Sequence, residues 1–284
     1  MSVVVVGDVM ADVVAALPGP LAHGSDTPAR IEHHPGGSGA NVAAWLRAAG
    51  MAVTLVARVG TDPAGDAAVA ALGPAAAGVQ RDPDRATGTC IVLVDPAGER
   101  TMIPDAGAND GLVIDALPPA AHLHLAGYAL LRAGSRAAAR RALAIAIDRG
   151  MTVSVDPSSA APLAGAPAFL DWVAGAGLLL PNADEARTLT GERDPERAAL
   201  ALGEGREAVV TLGAGGALWS DGARVLHEAA EPVAAADTTG AGDAFAAGLL
   251  AARLAGADPA AQLRAGCALA VRAVTRPGAA PGYD

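Results

Sequence analysis

The stretch Asp237-Thr238-Thr239-Gly240-Ala241-Gly242-Asp243 leads directly into the apolar run Ala244–Leu254. Glycines at 240 and 242 permit a tight turn of the backbone, so the free N–H groups of residues 240 to 243 are expected to converge at the positive end of a helix dipole. An oxyanion or a phosphate fits such a position, and Asp243 is then a carboxylate placed to take a proton from an attacking hydroxyl group. A plain helix cap at Asp237 or Thr239 explains the same residues, and for this stretch taken alone the cap is the simpler interpretation.

A second glycine cluster, Pro35-Gly36-Gly37-Ser38-Gly39-Ala40-Asn41, precedes another predicted helix. Consecutive glycines allow the backbone to approach a polyhydroxylated ligand closely, and Asn41 offers both a donor and an acceptor. A flexible loop that runs into the helix is the alternative. The cluster does not match the dinucleotide fingerprint G-x-G-x-x-G, because Val42 stands where its last glycine is required, and a dehydrogenase is therefore not expected.

The composition argues against several classes of protein. The 284 residues carry 20 Lys and Arg against 30 Asp and Glu, a net charge of −10, which argues against a nucleic-acid partner and for a small molecule. The sequence contains no Lys at all, which excludes a Walker phosphate loop and a Schiff-base lysine. Two distant cysteines, Cys90 and Cys267, and the lack of a long apolar segment predict a cytoplasmic protein with no membrane span.

Short strand-like runs alternate with Ala-rich helical patterns along the chain. The predicted strands are Val3–Val6, Val53–Ala57, His122–Leu125, Thr152–Val155, Leu178–Leu180 and Ala208–Leu212. The predicted helices are Ala40–Ala49, Asp66–Leu72, Ser135–Arg149, Asp184–Leu189, Pro195–Leu202, Ala241–Leu254 and Pro259–Val274. This alternation predicts an α/β fold: a doubly wound, mostly parallel Rossmann-like sheet with helices on both faces, in a single domain over residues 1–284.

Two segments interrupt the alternation. Residues Val13–His34 and Thr87–Pro104 carry strand-like patterns with turns and no convincing helix, so they predict a small antiparallel flap on the rim of the sheet. A lid that excludes water from a reaction would lie in such a place. A plain edge hairpin is the alternative.

Five motifs, taken together and in order, resemble those of the ribokinase-like (PfkB) carbohydrate kinase family over essentially the whole chain. They are Gly7-Asp8 with Asp12, Gly36-Gly37 with Asn41, Asn182-Ala183-Asp184-Glu185, Thr211-Leu212-Gly213-Ala214-Gly215-Gly216, and the stretch 237–243. The resemblance implies ATP-dependent phosphorylation of a hydroxymethyl group of a sugar or sugar-like substrate. It also implies a β-sheet lid formed by approximately residues 11–35 and 87–105, and a homodimer through that lid.

The resemblance assigns roles residue by residue. Asp243 matches the catalytic base, and Gly240, Ala241 and Gly242 match the anion hole. The sugar-binding positions are Asp12, Gly37 and Asn41. Asn182, Thr211, Gly213, Gly216 and Gly278 match the nucleotide-binding positions, and Glu185 belongs to the Mg²⁺ region. A K⁺ site at Asp237, Thr239 and Ala273 is one interpretation of the residues before the turn, and a capping Asp237 or an Asp237–Arg276 pair is the other.

The same comparison shows three departures from ribokinase itself. Ribokinase carries an Asn at the position of Met10, a Lys at that of Ser38, and a Glu near Tyr128. Three polar contacts to ribose are therefore missing, and a larger or less polar acceptor is expected. A nucleoside kinase of the same family is the alternative function. An alternative from another class is a binding protein with the same fold and no catalytic activity. Such a protein would require neither Asp243 nor Glu185.

Overall fold

The structure is a computed structural model that describes residues 1–276 and 278–281. Its strands are β1 (Ser2–Val6), β2 (Met10–Ala16), β3 (Arg30–Gly36), β4 (Ala52–Gly60), β5 (Gly78–Asp82), β6 (Gly88–Val94), β7 (Arg100–Asp105), β8 (His122–Ala126), β9 (Thr152–Asp156), β10 (Leu178–Leu179), β11 (Glu207–Thr211), β12 (Ala217–Ser220) and β13 (Val225–Glu228). Its helices are α1 (Ser38–Ala48), α2 (Pro63–Leu72), α3 (Tyr128–Leu131), α4 (Arg136–Asp148), α5 (Ala160–Ala164), α6 (Phe169–Trp172), α7 (Ala183–Thr190), α8 (Pro195–Gly203), α9 (Ala241–Leu254) and α10 (Pro259–Val274).

A nine-stranded sheet in the order β13-β12-β11-β10-β9-β8-β1-β4-β5 forms the centre of the molecule. The strands from β11 to β5 all run parallel, and only the pairs β11–β12 and β12–β13 at one end are antiparallel. The predicted mostly parallel α/β sheet is therefore confirmed. The outer strands are β5 on one side and β13 on the other.

Helices cover both faces of this sheet, because alternate side chains of the central strands are apolar on both sides. Val3 and Val5 of β1 belong to one buried cluster, which α1, α2, α9 and α10 complete. Val4 and Val6 belong to the other, which α4, α7 and α8 help to form. Helices α9 and α10 approach closely at glycines: a Cβ added at Gly266 would lie 2.7 Å from the Phe245 ring.

A separate four-stranded sheet lies over one rim and has the order β3-β2-β6-β7. Its strands come from the two segments that the sequence analysis predicted as a flap. The outer pairs are antiparallel, but β2 and β6 pair in parallel, with Met10 opposite Gly88 and Asp12 opposite Cys90. The prediction of a purely antiparallel flap was wrong on this pair, because a long segment of other elements separates its two strands and lets them run in the same direction.

Candidate active site

A cavity of about 280 Å³ lies between the four-stranded sheet and the carboxyl ends of the central strands. Its walls come from residues that end or follow β1, β8, β9, β10 and β11, the position where open α/β sheets bind ligands. It is lined by Asp8, Met10, Asp12, Gly37, Ser38, Asn41, Cys90, Met102, Pro104, Tyr128, Arg132, Asp156, Ser158, Leu180, Asn182, Glu185, Thr211, Thr238, Thr239, Gly240, Ala241, Gly242, Asp243, Phe245 and Ala246.

Helix α9 begins at this cavity without a side-chain cap. Gly240 is its N-cap residue, with a left-handed φ of 72° that favours glycine, and a Cβ there would collide with the backbone of Ala279. A Cβ at Gly242 would meet no atom within 4 Å. The first N–H groups of a helix have no acceptor within it, so the uncapped start of α9 offers donors and a positive dipole end to an anion.

Asp243 lies one turn into α9, and both its carboxylate oxygens accept hydrogen bonds. Ser38 Oγ donates to one oxygen at 2.8 Å, and Asn41 Nδ2 donates to the other at 2.9 Å. Burial raises the pKa of Asp243 to about 8, and the charges of Asp156 and Asp8 act in the same direction against the two hydrogen bonds. The carboxyl group is thus held in place at a pKa suited to exchanging a proton near neutral pH.

The second glycine cluster forms the start of α1 and brings it against the end of β1. Gly37 has a φ of 96°, and a Cβ there would lie 2.7 Å from the Asp8 carbonyl oxygen. A Cβ at Gly39 would lie 2.7 Å from the Cα of Gly7. Only glycine permits this approach, which places Asn41 and Asp243 in one site.

Asp12 enters the cavity from strand β2 of the small sheet. Burial raises its pKa to about 6; the nearby charge of Asp8 adds to this effect and His34 opposes it. Asp8 is itself buried, and its Oδ1 accepts the N–H of Gly39 at 3.2 Å. Two acidic side chains therefore lie at the end of the cavity under the small sheet.

Asn182 and Glu185 form a capping box at the start of α7. Asn182 Oδ1 accepts the N–H of Glu185 at 2.9 Å, while the Glu185 carboxylate accepts the Asn182 N–H at 2.9 Å and its Nδ2 at 2.7 Å. Burial, followed by the charge of Asp156, raises the pKa of Glu185 to about 8, and burial raises that of Asp156 to about 6. Glu185 is buried and Asp156 is half-buried, and two such carboxyl groups that oppose each other's ionisation are a donor set that Mg²⁺ would neutralise.

The predicted nucleotide positions divide into two groups. Thr211, at the end of β11, and Asn182, which follows β10, form an isolated parallel bridge, and both line the cavity. Gly213 and Gly216 adopt positive φ values of 59° and 89° in the turn that follows β11, and they lie outside the cavity wall. Gly278 also lies outside it.

Asp237 is bound from three sides just before the turn into α9. Arg100 of strand β7 pairs with it at 2.6 Å, and the N–H groups of Thr239 and Gly278 donate at 2.7 and 3.0 Å. The expected alternative partner, Arg276, is not the one used, because Arg100 reaches Asp237 from the small sheet. The Ala273 carbonyl accepts the N–H of Arg276 at 3.2 Å. Pro277 lies outside the described residues.

The structure thus brings most of the predicted site residues to one cavity and leaves five of them around it. Those that line it are Asp12, Gly37, Asn41, Asn182, Glu185, Thr211, Thr239, Gly240, Ala241, Gly242 and Asp243, and those that do not are Gly213, Gly216, Asp237, Ala273 and Gly278. The sequence analysis did not select Asp8, Asp156 or Arg132 as site residues. For Asp8 and Asp156 a signal existed, because each follows a buried β run at the carboxyl end of a parallel strand.

A half-buried carboxyl group beside an uncapped helix start, at the carboxyl edge of an α/β sheet and under a small covering sheet, defines an enzyme class that transfers an anionic group to a small molecule. The sequence matches the model of the pfkB family carbohydrate kinases over residues 1–284. The chain belongs to this family, and it is a phosphotransferase of the sugar kinase type, acting on an alcohol group.

Individual relatives agree with this assignment. Fructokinase of Klebsiella pneumoniae is 33% identical over 242 residues, which cover 80% of this chain and 79% of the fructokinase. Arabidopsis thaliana ribokinase, solved with ribose and ATP, is 25% identical with a TM-score of 0.79, covering 98% of this chain and 94% of its own. Adenosine kinase from Sinorhizobium meliloti has the same fold at 22% identity, with a TM-score of 0.87 over 99% of this chain and 95% of its own. Across the described residues, no helix is long and apolar enough to cross a membrane.

Proposed function

We propose that this chain transfers the terminal phosphoryl group of ATP to a hydroxymethyl group of a sugar or sugar-like acceptor. The observation that carries the proposal is Asp243, a half-buried carboxyl group at the uncapped start of α9, held by Ser38 and Asn41. In this role Asp243 accepts the proton of the attacking hydroxyl group. The N–H groups at the start of α9 stabilise the negative charge on the transferred group.

The acceptor would lie between Asp243 and the small sheet. Asp12 and Asn41 are positioned at opposite sides of that space to hold hydroxyl groups, and Gly37 lets the backbone approach. The small sheet would act as a lid, because its strands carry Asp12, Cys90 and Met102 into the cavity. A lid in this place excludes water, which would otherwise compete with the acceptor.

Mg²⁺ and the phosphates of ATP would bind in the other half of the cavity, and the rest of the nucleotide would extend beyond the cavity wall. Asn182, Glu185 and Asp156 would hold the metal region, and Thr211 with the turn at Gly213 and Gly216 would hold the nucleotide. When bound, Mg²⁺–ATP supplies the phosphoryl group and the positive charge that neutralises it. The two opposed carboxyl groups, Asp156 and Glu185, support this placement.

Binding of a K⁺ ion beside Asp237 is a separate hypothesis. It would bind between the Asp237 carboxylate and the backbone carbonyls of Ala273 and Gly278, and it would order Thr239 and the turn that follows it. Arg100 already neutralises Asp237 at 2.6 Å. We expect that, if the ion acts, rates in K⁺ exceed those in Na⁺ and in a bulky organic cation at matched ionic strength, and that Asp237→Ala abolishes the difference. Identical rates in all three salts would eliminate the ion.

A nucleoside is the second candidate acceptor. It is favoured by the cavity wall, in which Met10, Met102 and Tyr128 stand beside the acidic residues. Apolar and aromatic side chains of this kind pack against a nucleobase, whereas a bare sugar offers them little surface.

The experiment that tests the proposal is ADP release with a panel of sugars and nucleosides. Wild-type protein should turn over at least one of them, and Asp243→Asn should turn over none at a comparable rate.

We also propose that two copies associate through the lid. The outer surface of the small sheet carries Ile31, Ile91 and Ile103, which are 52%, 43% and 52% exposed. Ile91 and Ile103 lie opposite each other on neighbouring strands. A second copy of the same surface is the occupant that would bury these three apolar side chains.

A further inference from the structure

Arg132 is the only basic side chain among the described residues that line the cavity. It follows the short helix α3, directly beyond the carboxyl end of strand β8, and its side chain is 17% exposed. The other charged residues of the wall are Asp8, Asp12, Asp156, Glu185 and Asp243. The presence of a single guanidinium among these carboxyl groups therefore indicates a specific role for Arg132.

Its contacts inside the protein leave most of its hydrogen-bonding capacity unused. Arg132 Nη2 lies 3.6 Å from Asp8 Oδ2, beyond a normal hydrogen bond, and its Nη1 is buried with no partner. The guanidinium stacks over the Tyr128 ring at 5.3 Å, which fixes its plane and satisfies no N–H group. A buried donor without an acceptor is costly, and a bound ligand would remove that cost.

The position of Arg132 places this donor on the acceptor side of the cavity. Asp8 beside it and Asp12 of strand β2 line the same cavity. Cys90 of the lid strand β6 also lines this cavity. Arg132 therefore belongs to the same cavity wall as side chains of both the central sheet and the lid.

We propose that Arg132 binds an anionic group, a carboxylate or a phosphate, on the acceptor itself. The planar guanidinium matches either group with two parallel N–H···O bonds, which an ammonium ion does not. The acceptor would then be an acidic sugar derivative whose hydroxymethyl group reaches Asp243. Without Arg132 the surrounding carboxyl groups would repel such a molecule. The inference rests on the proposed kinase function and names its substrate class.

The test compares matched acceptors in pairs: D-glucose with D-gluconate, and D-fructose with D-fructose 6-phosphate. In wild-type protein we expect the anionic member of at least one pair to have the higher kcat/KM, and which pair responds distinguishes a carboxylate from a phosphate. Arg132→Leu should lower kcat/KM for that anion by about tenfold to a hundredfold and leave its neutral partner nearly unchanged. Arg132→Lys keeps the positive charge but loses the planar pair of N–H donors. Its kcat/KM for the anion should therefore lie between those of wild-type protein and Arg132→Leu.

Arg224→Leu is the matched control, because Arg224 stacks over Trp219 at 5.4 Å and pairs with Asp221 but lies outside the cavity. Calorimetric titration of each acceptor in the absence of ATP provides a readout that does not depend on turnover. Anion binding that needs Arg132, with no phosphorylation of any acceptor, would refute the kinase proposal and keep this site. Two results would overturn the assignment of Arg132. One is that neutral sugars are phosphorylated and Arg132→Leu lowers kcat/KM equally for both members of each pair. The other is that wild-type protein shows no preference for an anion.

Discussion

At the scale of single residues, Asp243 carries the strongest prediction. Asp243→Asn removes the group that accepts the proton but keeps the shape and the contacts with Ser38 and Asn41. We expect kcat to fall by at least about 10²-fold while the fold and ATP binding are retained. Asp148→Asn, at the exposed end of α4, is the control and should leave kcat unchanged. Near wild-type turnover in Asp243→Asn would contradict the assignment.

Stability should depend on pH through the same residue. The pKa of Asp243 is about 8 in the folded protein against 3.8 for the ordinary group, so between these values the folded state holds a proton that the unfolded chain has lost. Its contribution to the free energy of unfolding therefore falls as pH rises through this window. Asp243→Asn should raise the melting temperature relative to wild type by an amount that grows from pH 5 to pH 8. A difference that stays constant with pH would show that the group does not titrate there.

Asp12 allows the acceptor and nucleotide halves of the cavity to be separated. Asp12→Ala should raise KM for the acceptor by about tenfold to a hundredfold, because a carboxylate that accepts hydroxyl groups makes charge-assisted hydrogen bonds. KM for ATP should change far less. Asp26→Ala, on an exposed loop between β2 and β3, serves as the control. Equal effects of Asp12→Ala on both constants would mean that the residue shapes the fold and not the acceptor site.

The site residues that could be predicted from the sequence are those that lie next to a recognisable local motif. Asp243 follows a glycine turn and Asn41 follows a glycine cluster, so local pattern marked both as candidates, and the order of the five motifs then assigned their roles. Arg132 and the Arg100–Asp237 pair were missed because nothing near them in sequence marks them. Arg100 meets Asp237 only when the lid folds over the rim of the sheet. Such contacts form only in the tertiary structure, and the local pattern of one sequence does not indicate them.

At the scale of elements, the start of α7 serves both the fold and the chemistry. Glu185→Gln keeps a side chain able to complete the capping box and removes a buried acid whose pKa is raised to about 8. We expect the variant to need more Mg²⁺ for half-maximal activity while its melting temperature at neutral pH does not fall. Glu196→Gln, at the exposed first turn of α8, is the matched control. A lower melting temperature with an unchanged Mg²⁺ dependence would assign Glu185 to capping alone.

The central strands and long helices could be predicted because each carries a strong period. Helices α9 and α10 begin and end where the pattern places them, and the predicted helix Asp66–Leu72 begins earlier, at Pro63, because Asp62 caps it. The sequence analysis missed strand β5 and the β12–β13 hairpin. Gly78–Asp82 contains a single apolar side chain, Val79, so its place in the sheet depends on pairing with β4 and not on pattern.

At the scale of the whole molecule, the proposed association of two copies through the lid can be tested directly. Ile103→Glu places a charge on the outer surface of the lid, so we expect the proposed dimer to dissociate to monomers in analytical ultracentrifugation. Val113→Glu is the matched control, since Val113 is equally exposed at 52% but lies away from the lid. A wild-type protein that is already monomeric at micromolar concentration, or an unchanged dimer in Ile103→Glu, would refute association through this surface.

The two outer strands of the large sheet also limit how the protein aggregates. An outer strand with free N–H and C=O groups is a template on which strands of other chains add. Gln80 of β5 binds the backbone of Val113 with both ends of its amide, its Oε1 accepting the Val113 N–H at 3.3 Å, so a following segment covers this strand. At the opposite side β13 is only four residues long, and Glu231 and Pro232 follow it closely. We therefore expect growth into fibrils by addition of strands to be disfavoured at both ends of the nine-stranded sheet.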